Sequence, residues 1–438
     1  MKDRCAEGLS SMDDAIVVTG TGMVCSLGQS PSEVWDALLA GKTGIHPIRS
    51  FDARGFGCRA AAQAHALSPA PSGIQPKLAR MMDKHLPMLL LAATNAHSMC
   101  GISQSTVPPG QIGFFAGMGM VDYEIEDLIL AVLKSSDPTG SLDYDLFFAD
   151  GYQEIYPLWP LAMLNNVAFC QVAINLDIRG ENAVFSPHAD SGVRAVAEGV
   201  KTLLADKARV VLAGGVSEKA SPSSMARGHH FGILNVSAAP GRASLCRPFS
   251  AERTGTIPGE GSGVVLMERA SSAAARQAVP LAAISGFGSA CEREAESFAP
   301  TAAAIASAMT AALDRAAVKP SEVGAVIAHG DGTLAGDKNE IEAICRVFSD
   351  TVESIGVFSS KGALGHMLAG SPAVDLILAI EMLKRGEIPP TLGAHPLDSN
   401  ARFRVASDRP LPLGPKRILI NSSSCEGQCA SLLVEAAP

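Results

Sequence analysis

Ala183-Val-Phe-Ser-Pro-His-Ala-Asp-Ser-Gly192, read on to Arg209-Val-Val-Leu-Ala-Gly-Gly215, is the stretch around which the chain is organised. Ala183 to Phe185 is an apolar run of the kind that forms a buried strand. Asp190 or Ser191 then stands where a helix N-cap is expected, and Val193, Val196, Ala197, Val200 and Leu203-Leu204 follow at helical spacing. After the turn Ala205-Asp206-Lys207, residues 209–215 read as a second strand of fully buried type. Strand, sharp bend, helix, strand is how a fold presents a nucleophile at the positive end of a helix dipole. This bend holds no Cys, so it lacks the side chain best suited to that position.

On either side of this unit, residues 1–14 form a leader. Ala15 to Val24 is a buried strand breaking at glycines, and Pro31 to Ala40 a helix closed by Gly41. Further helices are expected at about Leu86–Met99, Leu161–Leu176, Ser271–Gln277, Pro300–Ala317, Asp337–Phe348 and Pro372–Lys384. Strands are expected at Gln111–Gly117, Gly263–Glu268, Val323–Ala328, Val357-Phe358 and Arg417–Asn421. Residues 121–164 are irregular, hold all four Tyr, and read as an insertion that packs over something. Strands alternate with helices in both halves, so the class is α/β. Val17-Val-Thr-Gly-Thr-Gly22 and Val326-Ile-Ala-His-Gly-Asp-Gly332 each open a half, a weak sign of internal repetition.

The 438 residues are 47% hydrophobic and 18% charged, enough for large cores and against disorder. A net charge of −9 without basic runs argues against nucleic acid as partner. Ten scattered Cys, of which only Cys425 and Cys429 are close, predict reduced, mostly buried thiols in a cytoplasmic protein. The acidic N-terminus is no secretory signal, and no apolar run is long enough to cross a membrane.

His329 ends a strand inside His-Gly-Asp-Gly-Thr-Leu-Ala-Gly-Asp, where glycines let backbone N–H groups approach a ligand. His366 lies in Ser359-Ser-Lys-Gly-Ala-Leu-Gly-His366, again beyond a strand, with Lys361 five residues before it and Asp375 in the next helix. Ligands of open α/β sheets collect beyond the strands' carboxyl ends. Two His and a Lys there could stabilise an enolate or oxyanion. No His-x-x-His or carboxylate pairing is evident, so no metal is expected.

The chain resembles the β-ketoacyl-acyl-carrier-protein synthases, the ketosynthases of the thiolase-like fold. The likeness rests on Val17-Val-Thr-Gly-Thr-Gly-Met-Val-Cys-Ser-Leu-Gly28, Cys246-Arg-Pro-Phe249 with Gly259-Glu-Gly261, His329-Gly-Asp-Gly-Thr333, and Lys361 through Gly365-His366. It implies a five-layered αβαβα fold of two pseudo-repeated halves, residues 15–270, with a cap or dimer insertion at about 121–164, and residues 271–438. In the family a Cys takes the acyl chain, and two His and a Lys support decarboxylation of malonyl-carrier protein; His329, Lys361 and His366 match those positions. Asp375 falls where the family has Glu. No cofactor is implied.

Two departures from the family matter. Counting back without gaps from Ala213-Gly-Gly215 puts Ala189 at the nucleophile, and a methyl group cannot form a thioester. Pro187, His188 and Asp190 differ from the family too, which favours natural loss. Near the C-terminus Asn421-Ser-Ser-Ser-Cys-Glu-Gly-Gln-Cys429 places Cys425 at the gating Phe and Glu426 at a Gly, where a carboxylate would repel a malonyl group. The resemblance is therefore to a chain length factor, the Cys-less subunit that pairs as a heterodimer with a Cys-containing ketosynthase and works with an acyl carrier protein. It makes Met120 and Tyr123 candidate tunnel residues and Cys425 and Glu426 candidate binding residues. The alternatives are a malonyl-carrier-protein decarboxylase supplying a starter unit, and a condensing enzyme with Ser186, His188 or Ser191 as substitute nucleophile.

Overall fold

Alternation along the strands shows where the layers lie. The computed structural model describes residues 15–64, 84–102, 106–119, 126–157, 159–160, 164–217, 220–236 and 245–438. Strand Val210–Ser217 is buried along its whole length. Its residues Val211 and Ala213 join a cluster with Val193, Val196 and Val200, while Val210 and Leu212 join another with Leu89 and Ala93. Residues two apart share a face of a strand, so this strand is covered on both sides. Strand Arg417–Ser423 does the same: Ile418 and Ile420 face the first cluster, and Leu419 faces a third with Ile305 and Ile344.

Eleven strands form one sheet among the described residues. In chain order they are β1 (Ile16–Cys25), β2 (Ile112–Met118), β3 (Asn182–Phe185), β4 (Val210–Ser217), β5 (Gly261–Arg269), β6 (Ala282–Cys291), β7 (Ala325–Ile327), β8 (Gly356–Phe358), β9 (Arg404–Val405), β10 (Arg417–Ser423) and β11 (Gln428–Ala436). The spatial order is β9-β8-β7-β10-β11-β6-β1-β5-β4-β2-β3. β1 and β6 pair only where Ile16–Val18 meet Ala282–Ile284, and this narrow seam divides the sheet. On one side the order β3-β2-β4-β5-β1, and on the other β8-β7-β10-β11-β6, is the same path traced twice, with β9 added at an edge.

The principal helices are α1 (Pro31–Leu39), α2 (His85–Met99), α3 (Glu126–Lys134), α4 (Tyr144–Ala149), α5 (Asn165–Asn175), α6 (Ser191–Leu204), α7 (Pro222–His230), α8 (Ala270–Ala275), α9 (Ala302–Ala316), α10 (Leu334–Val347), α11 (Lys361–Leu364) and α12 (Gly370–Arg385). α2 and α5 cover the outer face of the first half, α9 and α10 that of the second. α6 and α12 lie between the halves, in a cluster that takes residues from both. The layers are thus α, β, α, β, α, as the resemblance implies.

Two expectations change. The repeat is phased differently: β1 corresponds to β6, and the strand leading to His329 corresponds to β2. Ala183–Phe185 is an edge strand with β2 as its pairing partner, so its side chains are only partly covered. The described part of the insertion leaves an apolar face open. Leu130, Leu133, Tyr144 and Phe148 are each more than half exposed.

Candidate functional site

The bend, the loop after β7, the α11 loop and the end of β10 meet at one pocket, whose wall includes Ala189, His329, Asp331, His366, Ser424 and Glu426. α6 starts at Ser191, directly after the bend. Asp190 has helical backbone angles and makes no cap; its buried carboxylate pairs with Arg194 one turn on, which corrects the expected N-cap. Ala189 is 1% exposed. Its N–H donates to Ser424 Oγ at 2.7 Å, and its carbonyl accepts from Ser422 Oγ at 2.9 Å. The backbone donor that an oxyanion at this helix head would need is therefore already engaged. Of the three candidate substitutes, Ser186 accepts from Asn165 Nδ2 at 2.6 Å, His188 lies 3.4 Å from Glu426 Oε2, and Ser191 is buried in the first turn of α6.

The loop carrying His329 is tied from beneath. Glu340 of α10 is buried and accepts the N–H of His329 at 2.8 Å and that of Gly330 at 2.7 Å; Asn421 Nδ2 adds a third hydrogen bond at 3.2 Å. The ring is fixed from above, because the Ser423 N–H donates to His329 Nδ1 at 3.3 Å. A neutral imidazole that accepts at Nδ1 carries its proton on Nε2. The His366 ring stands edge-on to that of His329, centroids 4.9 Å apart. Gly365 places it: φ is +65° and ψ −179°, a region open essentially to glycine alone, with the Pro258 carbonyl 2.7 Å from where a Cβ would stand.

Lys361 is buried, and its Nζ meets Asp375 Oδ2 at 2.7 Å; Ser360 Oγ donates to the other oxygen at 2.6 Å. The predicted His, His and Lys thus belong to one neighbourhood, with Lys361 held behind it by α12.

Asp331 is a member of the site that sequence reasoning missed. Thr333 donates to its Oδ1 through N–H (2.9 Å) and Oγ1 (2.7 Å), and Oδ2 lies 3.6 Å from His329 Nε2. Burial pushes this carboxyl up, but the neighbouring imidazoles of His329 and His366 and the N–H of Thr333 outweigh burial and hold it well below the usual carboxylate range. The imidazoles thus have a carboxylate companion, Asp331, where the sequence showed no carboxylate pairing; Glu426, a candidate binding residue, stands at the pocket wall beside His188. Donor atoms of His329, Asp331 and His366 come within 4.8 Å of one another, a set that could hold a cation. The proton on Nε2 makes His329 a donor toward the carboxylate, which is not the lone pair a metal needs. The only sequence signal was an acid between two glycines, which reads equally well as a turn residue.

Cys425 lines the pocket. Burial pushes the Cys429 thiol up to about 12, which makes it inert. None of the described cysteines is in a disulfide, and of them only Cys25, Cys58, Cys246 and Cys429 are buried, fewer than expected. Met120 and Tyr123 lie outside the described residues, as does the leader. Among the described residues no helix is long and apolar enough to cross a membrane.

Five layers, two equivalent halves and a His–His–Lys group facing a central helix define a thiolase-like ketosynthase scaffold. The chain belongs to the beta-ketoacyl synthase family: residues 13–273 match its N-terminal domain and residues 281–395 its C-terminal domain. It is 29% identical over 402 residues to Nodulation protein E of Rhizobium meliloti (strain 1021), covering 91% of this chain and 93% of the relative. It is 26% identical over 423 residues to 3-oxoacyl-[acyl-carrier-protein] synthase 2 of Coxiella burnetii, covering 96% and 98%. Among solved structures it resembles the ishigamide ketosynthase/chain length factor, with 26% identity, a TM-score of 0.83, and 97% and 100% coverage.

Proposed function

We propose that this chain is a chain-length-factor-like subunit, lacking the nucleophilic Cys, that pairs with an active β-ketoacyl-acyl-carrier-protein synthase and shapes the tunnel for the growing acyl chain. One observation carries the reading. At the head of α6 stands Ala189, buried, with its N–H and carbonyl both engaged by serines of the β10 end. Neither a covalent acyl link nor an oxyanion at that N–H is provided for, while the surrounding scaffold is intact. The exposed apolar face of α3 and α4 supports a partner subunit, since a monomer seldom leaves Leu130, Leu133, Tyr144 and Phe148 together in water. The tunnel roles of Met120 and Tyr123, and docking of an acyl carrier protein, rest on the family resemblance.

Co-expression with Cys-containing homologues encoded beside it tests this reading. A one-to-one complex by native mass spectrometry is the expected result. A homodimer with full condensing activity on its own contradicts it.

A second reading, malonyl-carrier-protein decarboxylation, is favoured by the retained His329, His366 and Lys361. The carboxylate of Asp331 against the two imidazoles weighs against it, because it holds the place and the charge that a malonyl group would bring. Release of CO2 from malonyl-carrier protein, lost in His329→Ala, would favour it.

A further inference from the structure

We propose that Asp331 sets the charge selectivity of this pocket, so that it admits neutral acyl groups and refuses those that end in a carboxylate. The inference rests on the pocket being an acyl site, as in the proposed function, and names the class of acyl group.

Geometry carries it. Oδ1 is locked by the two hydrogen bonds from Thr333, which fixes the direction of Oδ2 toward His329 Nε2. The ring it faces cannot turn away without losing the Ser423 N–H on Nδ1. His329 therefore directs its one remaining proton at a charge that belongs to the chain itself. The cation that could have offset this charge, Lys361, is engaged by Asp375. Three carboxylates, Asp331, Glu340 and Glu426, line the pocket, against one guanidinium, that of Arg227, and the imidazoles of His188, His329 and His366. An incoming carboxylate would meet a like charge in a buried site, where screening is weak. At an effective dielectric constant of about 20 and a separation of about 5 Å, the penalty weakens binding on the order of a hundredfold. A neutral thioester carries no such penalty and can accept from the same imidazoles.

The test uses the full-length chain and two non-hydrolysable probes, the acetyl and malonyl amides of pantetheine amine, titrated calorimetrically. The wild type is expected to bind the acetyl probe at least about tenfold more tightly than the malonyl probe. Asp331→Asn keeps an acceptor for Thr333 and removes the charge, and should bring the two affinities within about threefold. Asp331→Ser is a second, smaller variant for which the same convergence is expected. Glu426→Gln, at a partly exposed side chain, should change the ratio by less than about threefold. Equal wild-type affinities overturn the inference while leaving subunit pairing untouched. A wild-type preference that persists in both Asp331 variants also overturns it. So does stoichiometric divalent metal on the wild type that is absent from Asp331→Asn, because the carboxylate would then be a ligand. Binding of neither probe removes the acyl-site reading, and this inference with it.

Discussion

A single methyl group governs the chemistry at the level of individual residues. Ala189 sits where α6 begins, and its backbone is clamped by Ser422 and Ser424. Ala189→Cys alone is therefore expected to leave condensation at background in a radiolabelled malonyl assay; substantial turnover would show that the serine clamp is no obstacle. Lys361 and Asp375 form a buried pair in which each is the other's neutralising charge. Lys361→Met should cost about 3–5 kcal/mol in urea unfolding, the usual result of leaving one buried charge alone. Adding Asp375→Leu should return a good part of it. Asp331 gives a signed pH prediction. Its folded carboxyl lies below its unfolded value of about 3.9, so it contributes stability above that pH and loses it as the pH falls toward the folded value. Asp331→Asn should thus flatten the acid limb of a stability-against-pH curve, and an unchanged limb would count against the pairing. His329, Lys361 and His366 were legible because each lies in a glycine-rich loop after a strand. Asp331 was not, because its meaning depends on imidazoles that the fold brings up from residues 329 and 366 together.

Among the strands and helices, legibility followed side-chain size. β4 and β10, rich in Val, Ile and Leu, are evident from composition. β6, reading Ala-Ala-Ile-Ser-Gly-Phe-Gly-Ser-Ala-Cys, is not, because its small residues carry little strand preference. They are required by α9, which packs so closely that a Cβ on Gly288 would press on Ala308 and Ala312. β11 was missed as well, and with β6 it hides the true phase of the internal repeat. The α11 loop gives a direct test of a backbone requirement. Gly365→Ala should destabilise the fold by about 1–3 kcal/mol, measured by thermal unfolding, since alanine cannot adopt that conformation without strain. A variant as stable as wild type would mean that the loop relaxes and that His366 is not held as described.

Across the molecule, two equivalent halves enclose α6 and α12, and the pocket opens where loops of both halves converge. The layered class was readable from the alternation of strands and helices together with the family likeness. The exposed apolar face of α3 and α4 was not, since a run rich in Leu, Phe and Tyr reads as buried until the fold shows what it touches. Leu133→Asp with Phe148→Asp should weaken the subunit complex by at least about 30-fold in analytical ultracentrifugation, the effect of losing a hot-spot anchor, while the circular dichroism of the isolated chain stays unchanged. Pairing unaffected by both changes would place the interface elsewhere. Whether the chain has given up covalent acyl chemistry is read from the intact mass of the denatured protein after incubation with acyl-carrier protein. The unmodified mass is expected. A chain heavier by one acyl group, with the adduct mapping to residues 186–191, would contradict the assignment as a subunit lacking the nucleophilic Cys.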